Sequence, residues 1–157
     1  MATVKINQFR TRQFGDTPYG NVTALVFPLQ TTATGAAANS NSVAAIGIGD
    51  VLDLGPLPAG FRLDDAQVLV TTGMTATITG SLGFAYEDGV DVASVPQDAA
   101  YFGAGIDLAA AGRKRATGSK LVTLPKPARL TLTTAVVANA KVSDIKVVVS
   151  GELLGSL

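Results

Sequence analysis

Apolar and polar residues alternate with a period of two along much of this chain. Ala66, Val68 and Val70 alternate with Asp65, Gln67 and Leu69, and Ile78, Leu82, Phe84 and Tyr86 alternate with Thr77, Thr79, Ser81 and Ala85. Near the carboxyl end, Ile145, Val147 and Val149 stand opposite Asp144, Lys146 and Ser150. Successive side chains of a strand point to opposite faces, so this period predicts β-strands with one covered face. Other runs are β-rich without clean alternation. Asn21 to Gln30 places Val22, Ala24 and Val26 against Leu25 and Phe27, as in a strand covered on both sides, and Pro28 is expected to end it. Ser42 to Leu54 reads as a strand broken by Gly47 and Gly49, and two more strands are expected at Leu121 to Leu124 and around Leu130 and Leu132.

Turn chemistry separates these runs. Thr31 to Asn41 (TTATGAAANSN) is a small, polar loop, and Gly55-Pro56-Leu57-Pro58-Ala59-Gly60 is a turn, because each proline fixes φ and withholds an N–H. Thr71 to Thr75, with Gly73 inside it, suggests a hairpin between its two neighbours. The stretch Val92 to Thr117 holds Pro96 and the run Ala109 to Ala111, which admits a short helix. About eight short strands with regular turn signals and no sustained helical period give an all-β chain, a β-sandwich or jelly roll. The expected organisation is an extended amino-terminal arm over residues 1–20 and a sandwich over residues 21–157. Val4, Ile6, Phe9 and Phe14 are the arm's apolar groups and Arg10 and Arg12 its cations, so the arm is expected to lie on a partner.

Composition narrows the chemistry. The chain has 47% hydrophobic and 15% charged residues, far from a disordered composition. Twelve basic side chains cancel 12 acidic ones, which removes the electrostatic footprint of a dedicated nucleic-acid or anionic-membrane binder and favours association. There is no cysteine and no histidine. That excludes thiolate metal sites, disulfides and every nucleophilic triad built on an imidazole or thiol, and the expectation is no enzyme, no cofactor and no metal. No leader-like apolar run and no apolar stretch of about 18 residues occurs, so a protein made in a cytoplasm without a membrane helix is expected.

The remaining motifs are weak. Glu87, Asp88 and Asp91 around Gly89 invite a calcium reading, but the spacing departs from a calcium-loop pattern at most positions and a solvated Asp-Gly turn explains them. Gly118-Ser119-Lys120 has the wrong order for a phosphate loop, and Gly47/Gly49 and Gly103/Gly105 lack the third glycine of a dinucleotide fingerprint. Arg113, Lys114 and Arg115 form the one concentrated charge, read either as a solvated loop or as an ion-pairing patch facing an acidic partner.

In layout, the turn Leu54 to Gly60 before Arg62-Leu63, the strand ending Val70-Thr71-Thr72, the Gly-Phe-Ala-Tyr strand, Leu121 to Pro125 before Leu130-Thr131-Leu132, and the closing valine-rich strand resemble tailed-bacteriophage capsid decoration (cement) proteins. The resemblance spans most of Val43 to Leu154. It implies a β-sandwich, often a homotrimer, that binds the major capsid protein where subunits meet on the outer capsid surface of the virion and stabilises the shell. The rival expectation is a carbohydrate or receptor-binding sandwich of a phage fibre or tail, for which Tyr19, Tyr86 and Tyr101 would have to supply stacking rings.

Overall fold

The computed structural model describes residues 1–6 and 22–155. Among them are ten strands: β1 (Thr3–Lys5), β2 (Val22–Thr31), β3 (Val51–Leu57), β4 (Phe61–Thr72), β5 (Thr79–Tyr86), β6 (Asp98–Asp107), β7 (Gly112–Arg115), β8 (Val122–Thr123), β9 (Ala128–Ala135) and β10 (Ser143–Leu153). One sheet has the order β1-β3-β9-β5-β6 and the other β2-β10-β4-β7, with β8 continuing the edge of β4 beyond β7.

The antiparallel pairings are nested. β5 pairs with β6, β4 with β7, β3 with β9 and β2 with β10, so the innermost hairpin is wrapped by successively outer pairs. A long hairpin rolled up in this way is a jelly roll, two packed sheets made of Greek keys. Alternation explains the packing. Leu25, Phe27 and Leu29 of β2, Phe61, Leu63, Ala66, Val68 and Val70 of β4, and Ile145, Val147 and Val149 of β10 meet Leu52, Leu54, Leu82, Phe84, Leu130 and Leu132 from the other sheet in one core. At roughly 1.5–3 kcal/mol for each large apolar side chain, this burial is the main force holding the sheets together.

Several local expectations are corrected. Thr71 to Thr75 is not a hairpin: β4 and β5 belong to different sheets, and the connection crosses between them. Gly73 is needed there because a Cβ would lie 1.8 Å from the carbonyl oxygen of Ala109. β2 runs through Pro28 to Thr31; as an edge strand it tolerates a residue without an N–H. It is covered on one face only, with Val22 and Val26 exposed. Residues before Val51 form a folded loop and no strand, and β3 continues through Gly55 and Pro56 by way of a register shift. The stretch admitting a helix instead forms β6 and β7.

The start of the chain belongs to the domain. β1 pairs in parallel with β3, and Val4 and Ile6 are buried in the common core. The rest of the expected arm, from residue 7 to residue 20, lies outside the described residues.

Candidate partner-binding surface

The nesting sends four connections to one end of the sandwich: residues 32–50, 73–78, 108–111 and 136–142. Three of them are held by one side chain. Asn139 is 1% exposed. Its amide Nδ2 donates to the Lys141 carbonyl at 2.9 Å, to Thr31 Oγ1 at 3.2 Å and to the Gly35 carbonyl at 3.3 Å, while Oδ1 accepts from the Thr75 N–H at 3.1 Å and Thr75 Oγ1 at 3.3 Å. Carbonyls on one side and an N–H on the other fix the orientation of the amide. Its backbone N–H adds a bond to the Ile46 carbonyl at 2.8 Å. Gly35, at φ 83°, lies so close that a Cβ would sit 2.2 Å from the Asn139 carbonyl oxygen. Asp50 secures the long loop from below, accepting from the N–H groups of Gly47 at 2.7 Å and Ala2 at 2.8 Å.

Backbone strain collects at the same end. All three positive-φ residues other than glycine among the described residues are here: Asn39 (51°), Thr77 (71°) and Val136 (77°). Asparagine tolerates this region; β-branched residues do so only when their surroundings enforce it. Val136 is the centre of a γ-turn closed by the Val137 N–H on the Ala135 carbonyl at 3.0 Å, and Thr77 lies in a turn closed by the Ile78 N–H on the Thr75 carbonyl.

What these loops present is mostly apolar and sparsely charged, with Lys141 the exposed charged side chain on the β9–β10 connection. Val43 is 95% exposed, Ile48 62% and Val136 61%, and Val142 is exposed on the same β9–β10 connection as Val136. Residues 31–49, 66–86 and 130–140 contain no Asp, Glu, Lys or Arg. A depression of about 320 Å³ opens between Thr32, Ala36, Ala38, Ser40, Ser42 and Val43. Of the nearby carboxylates, Asp50 is committed as above, and Asp107 caps the N–H groups of Ala109 and Ala110 at 2.8 and 3.2 Å. Those two bonds, Ala109 first, hold the Asp107 carboxyl below the usual aspartate range.

The opposite end is the charged one. Arg62 pairs with Asp64 and Glu152, Lys126 with Asp88, and Lys120 with Asp98. Lys126 also lies 4.6 Å from the centre of the Tyr86 ring, and its hydrogen bond to Asp88 is the main cause holding that carboxyl below its ordinary range. Asp91 accepts the N–H groups of Val92 and Gln97, so Glu87, Asp88 and Asp91 do not converge. Among the described residues no group of three or more metal-ligating side chains gathers.

Arg113, Lys114 and Arg115 all lie on β7, and a strand cannot hold them on one face. Arg115 pairs with Asp65 at 2.9 Å and Arg113 donates to Gln67 Oε1, whereas Lys114 turns to the Ala110 carbonyl at 2.6 Å. Val4 and Ile6 face the core of their own domain; Phe9, Arg10, Arg12 and Phe14 lie outside the described residues. Tyr86 and Tyr101 are buried, their hydroxyls bonded to the Val95 and Lys120 carbonyls at 2.5 and 2.8 Å. Burial pushes both phenols above their usual pKa. The sparsely charged end was legible only as an exposed loop at Thr31 to Asn41; that other loops join it depends on the topology.

No protein-family model matches the sequence, and no curated protein matches it. Solved structures do. The chain is similar to a chain in the structure described as the capsid of Ralstonia phage GP4, with 20% identity, a TM-score of 0.70, and coverage of 98% of this chain and 99% of that one. It is also similar to a chain of the cyanophage Pam1 capsid asymmetric unit, with 18% identity, a TM-score of 0.58, and coverage of 93% and 94%. At such identities the likeness is one of fold, and it extends over nearly the whole length of both partners.

Proposed function

We propose that this chain is a structural, non-enzymatic virion protein that binds the outer surface of a phage capsid at subunit junctions and stabilises the shell, with the major capsid protein as partner and a homotrimer as the working unit. The observation that carries this reading is the near end-to-end likeness in fold to a chain of a phage capsid, which covers 98% of this chain. The physical chemistry supports it. A neutral sandwich with no histidine or cysteine has little to offer a reaction near neutral pH, and it can associate without charge repulsion. Modest contacts repeated over a lattice become strong by avidity. The carbohydrate-binding alternative loses two of its three candidate rings, since those of Tyr86 and Tyr101 are buried, while Tyr19 lies outside the described residues.

Phe9, Arg10, Arg12 and Phe14 remain the proposed capsid anchors of the amino-terminal segment, and Arg113 and Arg115 the proposed ion-pairing pair. Because Val4 and Ile6 belong to the core, the anchors are tested by alanine substitution at Phe9, Arg10, Arg12 and Phe14 and not by deletion from the start of the chain. The test of the function is co-sedimentation of the purified chain with shells of the same phage stripped of it. Saturable occupancy and a raised melting temperature of the shell are expected; bare shells at all concentrations refute the proposal.

A further inference from the structure

We infer that the sparsely charged loop end, led by Val43, Ile48 and Val136, is the surface that docks on the capsid shell, through a contact with a largely apolar patch of the shell protein. This rests on the virion reading above and adds to it the face and the chemistry of the contact.

The two ends of the sandwich differ in charge. Burying the charged end would strip water from Arg62, Asp64, Asp88, Lys120, Lys126 and Glu152, at a cost their exposed pairing cannot offset. Burying the loop end desolvates far fewer ions, because residues 32–49, 73–78 and 136–140 carry no charge and Lys141 is the exposed charged side chain of the β9–β10 connection. A particle with one sparsely charged and one charged end placed on a surface directs the charged end to water. The complementary partner is therefore largely apolar: a cluster of charges facing these loops would lose its hydration and find only Lys141 as a counter-ion.

Rigidity points the same way. Exposed valines on a loose loop would lose conformational freedom on binding, whereas these loops are already ordered by Asn139, Asp50 and the Ala36–Ala45 bridge. The unfavourable φ of Val136 is maintained although its side chain is 61% exposed and gains little from the fold it strains. The depression of about 320 Å³, lined by alanine, serine and threonine together with Asn39 and Val43, is of a size to receive a projecting side chain.

The test introduces one charge at a time. Val43→Glu and Ile48→Glu are made with Val90→Glu as the matched control, Val90 being an exposed valine at the charged end. Circular dichroism, thermal unfolding and mass in solution are recorded for each, followed by occupancy on stripped shells. The expected result is that Val43→Glu and Ile48→Glu keep the fold and solution mass of the wild type but bind at least about tenfold more weakly, while Val90→Glu binds as the wild type does. If the wild type leaves shells bare, the virion reading falls and this inference with it. If the wild type binds and Val43→Glu and Ile48→Glu bind equally well, or only Val90→Glu fails, the inference alone is overturned. A changed solution mass in Ile48→Glu would instead assign the loop end to contacts between copies of this chain, and also overturns it.

Discussion

Asn139→Ala should be among the most damaging single truncations of a polar side chain in this protein, and the cost can be worked from its partners. Most of them are left with a second bond. The Lys141 carbonyl keeps Thr31 Oγ1 at 2.7 Å, Thr31 keeps Ser143 Oγ at 2.9 Å, and the Gly35 carbonyl keeps the Ile46 N–H at 3.1 Å. The Thr75 N–H loses its acceptor outright, and the Thr75 hydroxyl loses the acceptor of its proton while still accepting from the Ala140 N–H at 2.8 Å. The orphaned backbone donor costs about 1–3 kcal/mol, and the lost bonds with surviving alternatives add about 1 kcal/mol together, giving roughly 2–4 kcal/mol. For a domain of this size that lowers the melting temperature by about 5–15 °C. Thermal unfolding by circular dichroism measures the shift, and amide exchange locates it: Asn139, Thr75 and Ile46 should lose protection before β4, β10 or β9 does. Asn139→Asp should be worse at neutral pH, because a carboxylate would face three oxygen acceptors. Its folded pKa is then raised, so the penalty is present above that pKa and is relieved as pH falls through it. An Asn139→Ala protein melting within about 2 °C of the wild type would refute the view that this amide fixes the loop end.

Other outcomes follow from the same structure. Val136→Gly should be neutral or stabilising by up to about 1 kcal/mol, because release from an unfavourable φ offsets the backbone entropy of glycine, whereas Val137→Gly removes a side chain packed on the core and should cost more than about 1 kcal/mol; urea titration separates them. Gly151→Ala should lose about 1–3 kcal/mol, since its Cβ would stand 2.0 Å from the Arg62 carbonyl oxygen between β10 and β4. Arg129→Ala leaves the buried Asp53 carboxylate without the guanidinium 2.9 Å away and should destabilise by about 2–3 kcal/mol, more than Asp53→Asn does, by chemical denaturation. The depressed carboxyls of Asp88 and Asp107 contribute stability that is complete above the ordinary aspartate range and is lost as pH falls through their folded pKa values. Asp88→Asn and Asp107→Asn should therefore flatten the acid limb of the stability curve below about pH 4.

How much of this was readable beforehand depends on the range of the interactions. Alternation at Ala66 to Val70 and Ile145 to Val149 gave strands in the right places because a strand's burial pattern is local. Pairing is not local. The glycine in Thr71 to Thr75 suits a hairpin equally well as a crossing between sheets, and what decides is the close approach of Ala109, more than thirty positions away. Pro28 looked like a terminator because a proline within a strand is excluded from interior strands, and its place on an edge is a property of the sheet. At the candidate site the exposed loop was legible in its small polar residues, while the convergence of four connections follows only from nested pairing. Asn139 stands in an unremarkable Ala-Asn-Ala stretch, and nothing short-range marks it as the fastening of three loops. Conversely, the basic triplet was conspicuous in sequence and is divided between two faces by the strand it occupies.

The central claim is that this jelly roll works as a part of a phage shell, and the direct measurement is occupancy. Stripped shells titrated with the wild-type chain, imaged by electron cryomicroscopy with the symmetry of the lattice imposed, should show saturable density for the chain at subunit junctions, with the loops of Val43, Ile48 and Val136 toward the shell and the Arg62–Glu152 end toward solvent. Shells that remain bare at saturating protein, with the chain folded and intact in the supernatant, would contradict it.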